Sequence, residues 1–251
     1  MTLQEFFAEN PRAAIAFSGG VDSSYLLYAA VQCGADVHAY FAKTAFQPQF
    51  ELDDARRLAE SVGAKLTVLE LDALSSEDVA RNPANRCYYC KQNIFGNLKR
   101  AAAEDGFTLI LDGTNASDDA GDRPGMRALR EMDVRSPLRE CGLTKAEIRR
   151  LSHEAGLFTW DKPAYACLAT RVPTGEPITA EKLRAVERSE AYLFALGFTD
   201  LRVRLRDGGA LLQLPAAQHA AARARWTEIT AGLSEYFSTI QLDPKARAES
   251  E

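Results

Sequence analysis

An apolar run, Ala14-Ile15-Ala16-Phe17, leads straight into Ser18-Gly19-Gly20, and that loop into Val21-Asp22-Ser23-Ser24 and a second apolar stretch. The order reads as a strand, a tight loop and a helix start. Backbone N–H groups of such a loop converge with the positive end of the helix dipole and bind an anion. Gly19 and Gly20 admit close backbone approach and angles that a side chain forbids. Ser18, Ser23 and Ser24 add hydroxyl donors. No lysine follows the glycines, so this is not the G-x-x-x-x-G-K-[ST] loop of common nucleotide hydrolases. The plain alternative is a Gly-Gly turn opening a structural helix.

The rest of the chain tells which sheet this loop ends. Residues 12–17, 36–41, 65–71 and 107–111 read as strands, and 23–32, 49–62 and 88–105 as helices. Gly34 and Gly63 stand where helices stop. Strands alternating with helices imply βαβ units, a parallel sheet and right-handed crossovers that put helices on both faces. Such sheets bind ligands at the carboxyl ends of their strands. The glycine loop, Lys43-Thr44 and Asp112-Gly113-Thr114-Asn115 all fall at that edge. Thr144-Lys145-Ala146-Glu147 is a capping box opening a helix that ends at Gly156.

Composition then changes. Residues 160–174 hold prolines, aromatics and a cysteine without a clear period, as a functional loop or hinge would. A helix over 178–196, strands over 201–205 and 210–214 around Asp207-Gly208-Gly209, a helix over 216–233 and a strand over 237–242 follow. The fold class expected is α/β, a doubly wound parallel domain over 1–158. A loop over 159–175 and a small α+β domain over 176–251, frayed from 244, complete it. With 251 residues, 46% of them apolar, the chain has ample core for both.

No apolar run approaches the ~20 residues that span a bilayer. The first residues lack the basic start and apolar stretch of a signal peptide. A cytoplasmic location without membrane contact is therefore expected. A net charge of −5 supplies no global positive field to draw in nucleic acid.

Five cysteines in such a chain are poor candidates for disulfides. Cys33 and Cys141 read as ordinary small residues. Cys87 and Cys90 lie in Arg86-Cys87-Tyr88-Tyr89-Cys90-Lys91 at a helix start, where the dipole and flanking cations favour thiolates. Cys167 stands alone in Ala164-Tyr165-Ala166-Cys167-Leu168. Structural zinc normally takes four ligands, and His38, His153 and His219 lie in unpromising contexts. Three thiolates suit a 4Fe-4S cluster with one open iron, which sulfur-carrying chemistry would need. A redox pair beside an unrelated cysteine, or three structural thiols, satisfies the spacing equally.

The strings SGGVDSSYLL, NRCYYCK, DGTNASD, DRPGMRAL, SPLRE, LTKAEIR, DKPAYACLATR and VPTGEPIT occur in one order. SGGVDSS resembles the PP-loop of ATP pyrophosphatases, and the set together, over about residues 12–215, resembles the LarE family. These are PP-loop ATP-dependent sulfur transferases that help build the nickel-pincer cofactor of lactate racemase. The resemblance implies a substrate, pyridinium-3,5-biscarboxylic acid mononucleotide, whose carboxylates are adenylated and become thiocarboxylates. Single-cysteine members sacrifice the sulfur of the residue matching Cys167. Three-cysteine members match Cys87, Cys90 and Cys167 and hold a 4Fe-4S cluster on them, the version expected here. Ser18, Gly19, Gly20, Asp22, Ser23 and Ser24 would then grip the pyrophosphate of ATP, and Asp112, Gly113, Thr114 and Asn115 would line the nucleotide site. Mg²⁺ would offset phosphate charge, with Asp22 and Asp118 as candidate ligands.

Glu190 matches an active-site acid of that family, and Arg202 and Arg204 match an arginine pair of its phosphate or substrate pocket. The two arginines alternate on one strand, so both point to one face. Arg171 is placed to neutralise substrate or cluster. The plain readings are a solvated strand face for the arginines and an exposed helix position for Glu190. Self-assembly into a homo-oligomer is a family expectation, and the sulfide donor is not legible. Rival readings are a PP-loop tRNA thiolase, an ammonia-using PP-loop synthetase and a nucleotide-sensing module. The last two leave the three cysteines without a role.

Overall fold

The structure, a computed structural model, describes residues 1–118 and 124–248, so Asp122 and Arg123 of DRPGMRAL and the last three residues lie outside it. The chain divides into two compact units, Met1–Ala73 with Asn85–Lys162, and Leu74–Ala84 with Pro163–Glu251.

The chain begins with α1 (Leu3–Glu9), β1 (Arg12–Ala16), α2 (Val21–Gln32), β2 (Asp36–Lys43), α3 (Gln49–Ser61) and β3 (Lys65–Glu70). After α4 (Glu77–Ala80) come α5 (Arg86–Glu104), β4 (Ile110–Leu111), α6 (Pro124–Glu131), α7 (Pro137–Glu140) and α8 (Lys145–Glu154). The remainder is α9 (Ala180–Ala195), β5 (Arg202–Arg206), β6 (Gly209–Gln213), α10 (His219–Ala224), α11 (Trp226–Leu233) and β7 (Ile240–Leu242).

In the first unit the strands run parallel in the order β3-β2-β1-β4. Side chains alternate across such a sheet. Ala13, Ile15, Ala39 and Phe41 join one apolar cluster with Leu26, Leu58 and Ile148. Ala14, Tyr40 and Ile110 join another with Phe95, Leu98 and Leu129. Helices therefore cover both faces, and the sheet is doubly wound. Strand order reverses between β1 and β4, and a ligand crevice opens where neighbouring strands send their connections opposite ways. The glycine loop follows β1 and Asp112-Gly113 follows β4, so both border that crevice.

The fourth strand is shorter than the run 107–111, because Phe107 N–H is taken by Ala102 O at the end of α5. Helix α1 carries the same capping box as α8, Thr2 with Glu5 in one and Thr144 with Glu147 in the other.

The second unit has its own core, including Leu193, Val203, Leu212, Ile229 and Leu233. Its sheet runs β5-β6-β7, with β5 and β6 antiparallel and β7 parallel to β6. Asp207 and Gly208 both take positive φ (50° and 76°), which makes the two-residue hairpin turn that an Asp-Gly pair favours. The helix expected over 216–233 breaks at Arg225, whose guanidinium donates to Leu196 O and to Glu228. Residues 74–84 join this unit through backbone bonds from Gly175 N to Asn82 O (2.9 Å) and from Ile178 N to Ala80 O (2.8 Å). Sequence alone put them in the first domain, because the contacts that claim them come from ninety residues onward.

Candidate active site

In the first unit, Ser18, Gly20, Asp22, Ser23, Asp112, Gly113, Thr114 and Asp118 line one cleft of about 280 Å³, with Lys91 and Phe95 of α5 as a further wall. That is room for a polyphosphate. Gly20 is the N-cap of α2 and offers no side-chain oxygen, so the first N–H groups of the helix get no side-chain cap. Gly19 has φ +69°, and a Cβ there would sit 3.1 Å from Glu51 O. Gly113 brings the β4 loop against the helix start, where an added Cβ would lie 2.9 Å from Ser23 N. Both glycines are required by close approach. Ser23 Oγ stands 3.0 Å from Ser18 Oγ, accepts from Ser18 N–H and donates to Gly20 O, which fixes the loop.

Asp22 pairs with Lys145 Nζ at 2.7 Å, while its Oδ1 is buried and has no hydrogen-bond partner. Burial pushes its carboxyl above the usual Asp range, partly offset by Lys145. Asp112 accepts from Thr114 N–H, Thr114 Oγ1 and Ser136 Oγ. Asp118 accepts from Asn115 N–H at 2.9 Å. Two residues expected at the nucleotide lie elsewhere. Ser24 is buried away from the cleft, with an Oγ lacking any partner, and Asn115 turns its Oδ1 to Ser117 N–H. Thr44 is likewise occupied locally, by Phe46 N–H and Gln47.

Cys87 and Cys90 share one face of the first turn of α5, three residues apart. Cys87 is exposed and Cys90 half-buried, and Arg86 Nη2 lies 3.8 Å from Cys87 Sγ. Lys91, the residue after Cys90 on α5, lines the cleft, and Asp112, Asp118 and both thiols favour its charged form. The thiol pair therefore stands on the helix that walls the phosphate cleft.

In the second unit, Cys167 is half-buried at the start of a short 3₁₀ turn, Leu168–Arg171. Glu190 and Arg171 are each about 1% exposed and form a two-pronged pair, Nε to Oε1 at 2.9 Å and Nη2 to Oε2 at 3.0 Å. Arg171 Nη1 donates to Ala166 O, Cys167 O and Thr170 Oγ1. Glu190 also accepts from Val203 N–H (2.8 Å) and Tyr165 OH. Arg171, expected at substrate, is thus spent on its own loop, and Glu190 is neither exposed nor open to a ligand. Tyr165, whose ring lies under the guanidiniums of Arg171 and Arg202, escaped sequence reading although it stands two residues before Cys167.

Arg202 and Arg204 behave differently. Arg202, 4% exposed, donates to Leu201 O and Ala164 O, and burial, then Arg171 and Arg247, bring its pKa down to about 10. Arg204 reaches Gln213 Oε1 at 2.8 Å and is lowered by burial and the same two cations. A surplus of positive charge here suits an anion.

Among the described residues, no group of three His, Cys, Asp or Glu side chains is arranged to hold a metal ion. In donor chemistry the residues fit what was expected of them. The unpartnered Oδ1 of Asp22 suits a cation carried with phosphates, and Cys87, Cys90 and Cys167, none in a disulfide, are soft thiol donors. Cys87 and Cys90 belong to the first unit and Cys167 to the second.

A parallel sheet whose reversal point carries this glycine loop and its uncapped helix start defines a PP-loop, ATP-using α/β domain. The asparagine synthase family model matches residues 8–116, the stretch that holds β1 to β4 and the cleft loops. An uncharacterized protein of Synechocystis is 40% identical over 86% of this chain and 81% of its own. The pyridinium-3,5-bisthiocarboxylic acid mononucleotide synthase of Lactiplantibacillus plantarum is 35% identical over 86% of this chain and 79% of its own. A tRNA-specific 2-thiouridylase of Fervidobacterium nodosum is 25% identical over 41% of this chain. The chain belongs to the LarE family of ATP-dependent sulfurtransferases. No helix among the described residues is long and apolar enough to cross a membrane.

Proposed function

We propose that this enzyme adenylates the carboxylates of pyridinium-3,5-biscarboxylic acid mononucleotide and replaces them with thiocarboxylates, a step toward the nickel-pincer cofactor of lactate racemase. The observation that carries the reading is that Cys87 and Cys90 stand on α5, the helix whose Lys91 and Phe95 wall the phosphate cleft, within a chain whose relative bears that synthase's name. A carboxylate resists attack because it is already negative and has no good leaving group. Its oxygen attacks the α-phosphorus of ATP, the α–β bridging P–O bond breaks and pyrophosphate leaves into the cleft of Ser18, Gly20 and Ser23. A sulfide sulfur then attacks the acyl carbon, the C–O bond to AMP breaks, and a thiocarboxylate remains. Asp22 and Asp118 would hold Mg²⁺. Cys87, Cys90 and Cys167 would hold a 4Fe-4S cluster, which would supply the sulfide. Arg171 and Glu190 hold the loop that presents Cys167, and Arg202 and Arg204 face the substrate's phosphate or carboxylate.

The test is anaerobic turnover with Mg-ATP, sulfide and the pyridinium dicarboxylate mononucleotide. AMP and pyrophosphate in equal amounts, with one oxygen-to-sulfur exchange per carboxylate, are expected. Cys167→Ala keeps AMP formation and ends sulfur transfer. Cys87→Ala ends transfer if a cluster carries the sulfide and spares one sacrificial turnover if Cys167 gives up its own. AMP formed with tRNA instead of the mononucleotide would transfer the assignment to a tRNA thiolase, a reading the net charge of −5 disfavours.

A further inference from the structure

The loop after β1 lacks the lysine that other phosphate-binding loops place after their glycines, yet its cleft carries three carboxylates, Asp22, Asp112 and Asp118. Two lysines approach the loop and are already engaged. Lys145 pairs with Asp22 at 2.7 Å, and Lys162 pairs with Asp54 at 2.7 Å while donating to Gly19 O. The third is Lys91 of α5, which lines the cleft itself. Among the described residues its ammonium makes no hydrogen bond or ion pair. A polyphosphate in the cleft would supply the missing partner.

The stem of Lys91 has a prepared path. An added Cβ at Gly125, the glycine of the PGMRAL stretch in α6, would lie 3.3 Å from Lys91 Cε and 3.4 Å from its Cδ. Any side chain there presses on the lysine. This gives that stretch a role the loop motif alone does not.

We propose that Lys91, seated against Gly125, is the cation that binds the terminal phosphates of ATP in this cleft, in place of the lysine absent from the glycine loop. The inference rests on the reading of the cleft as an ATP site. Its test is calorimetric titration of the full chain with Mg-ATP, pyrophosphate and AMP. Lys91→Met, which keeps the stem and removes the charge, should weaken ATP and pyrophosphate about tenfold or more and leave AMP unchanged. Lys91→Arg should retain most of the ATP affinity, and Gly125→Ala should weaken ATP by a smaller factor than Lys91→Met. Unchanged ATP binding in Lys91→Met, or an equal loss for AMP, overturns the assignment. Wild-type protein that binds neither ATP nor pyrophosphate would instead overturn the ATP reading of the cleft.

Discussion

The cleft beside Gly20 and the pair formed by Arg171 and Glu190 are both dense in charge, yet they treat it in opposite ways. In the cleft, the helix start has no side-chain cap, Asp22 Oδ1 has no partner and burial raises the pKa of Asp22. Around Glu190, both carboxylate oxygens accept two donors each, and every nitrogen of Arg171 is engaged. A buried carboxylate oxygen left open costs more than an open hydroxyl, and in the cleft a ligand can complete it. Carboxylate oxygens that are closed hold the backbone in place. Glu190 is therefore closed within the loop of Cys167, whereas the one open carboxylate oxygen among the described buried side chains is Asp22 Oδ1 at the glycine loop.

The hardest test of that contrast removes one partner of the closed pair. Arg171→Met strands Glu190 in the core and should destabilise the second unit by about 3–5 kcal/mol, read from denaturant unfolding. Arg171→Met with Glu190→Met should recover much of that loss, because no charge is left stranded. If the single variant is as stable as wild type, the pair is not a scaffold. In the cleft the same kind of change should act on chemistry. Asp22→Ala should lower ATP-dependent AMP formation at least about a hundredfold, near 2.7 kcal/mol of barrier, with little change in unfolding. Normal AMP formation would remove Asp22 from the reaction. Gly113→Ala should cost about 1–3 kcal/mol, since the new Cβ meets the backbone of Ser23 and no flexible side chain can yield. ATP affinity should fall with it, measured by the same titration.

Much of this arrangement was legible in the chain. The glycine loop, the parallel sheet and the capping box over Thr144 are local patterns, and each was visible because neighbouring residues alone decide it. The Asp207-Gly208 turn is of the same kind. What escaped depends on residues far apart. The burial of Glu190 needs Arg171, Tyr165 and strand β5, and the attachment of 74–84 to the second unit needs Gly175 and Ile178. Lys91 was read only as a cation beside thiols, because nothing in NRCYYCK says that its ammonium turns to the cleft. Ser24 misled for the opposite reason: a hydroxyl in a loop motif was counted as a donor to ligand, while the helix it opens rotates that position inward.

The smallest effect is one of pH, and its sign separates the two regions. A carboxyl held below its ordinary pKa by donors stabilises the fold above that value and loses the contribution as acid is added. Asp22 is shifted the other way, raised by burial and by Asp118, with Lys145 and Arg149 countering only in part. The folded chain binds its proton more tightly than the unfolded chain does. Its contribution is therefore full below the ordinary Asp value of 3.8 and is lost as pH rises through the raised folded value. Comparing wild type with Asp22→Asn from acid to neutral pH, the wild type should lose ground steadily against the variant over that window. An ion pair built to hold the fold would give the reverse slope. That slope would mean Lys145 has closed the site, and the contrast between an open cleft and a closed scaffold would have to be abandoned.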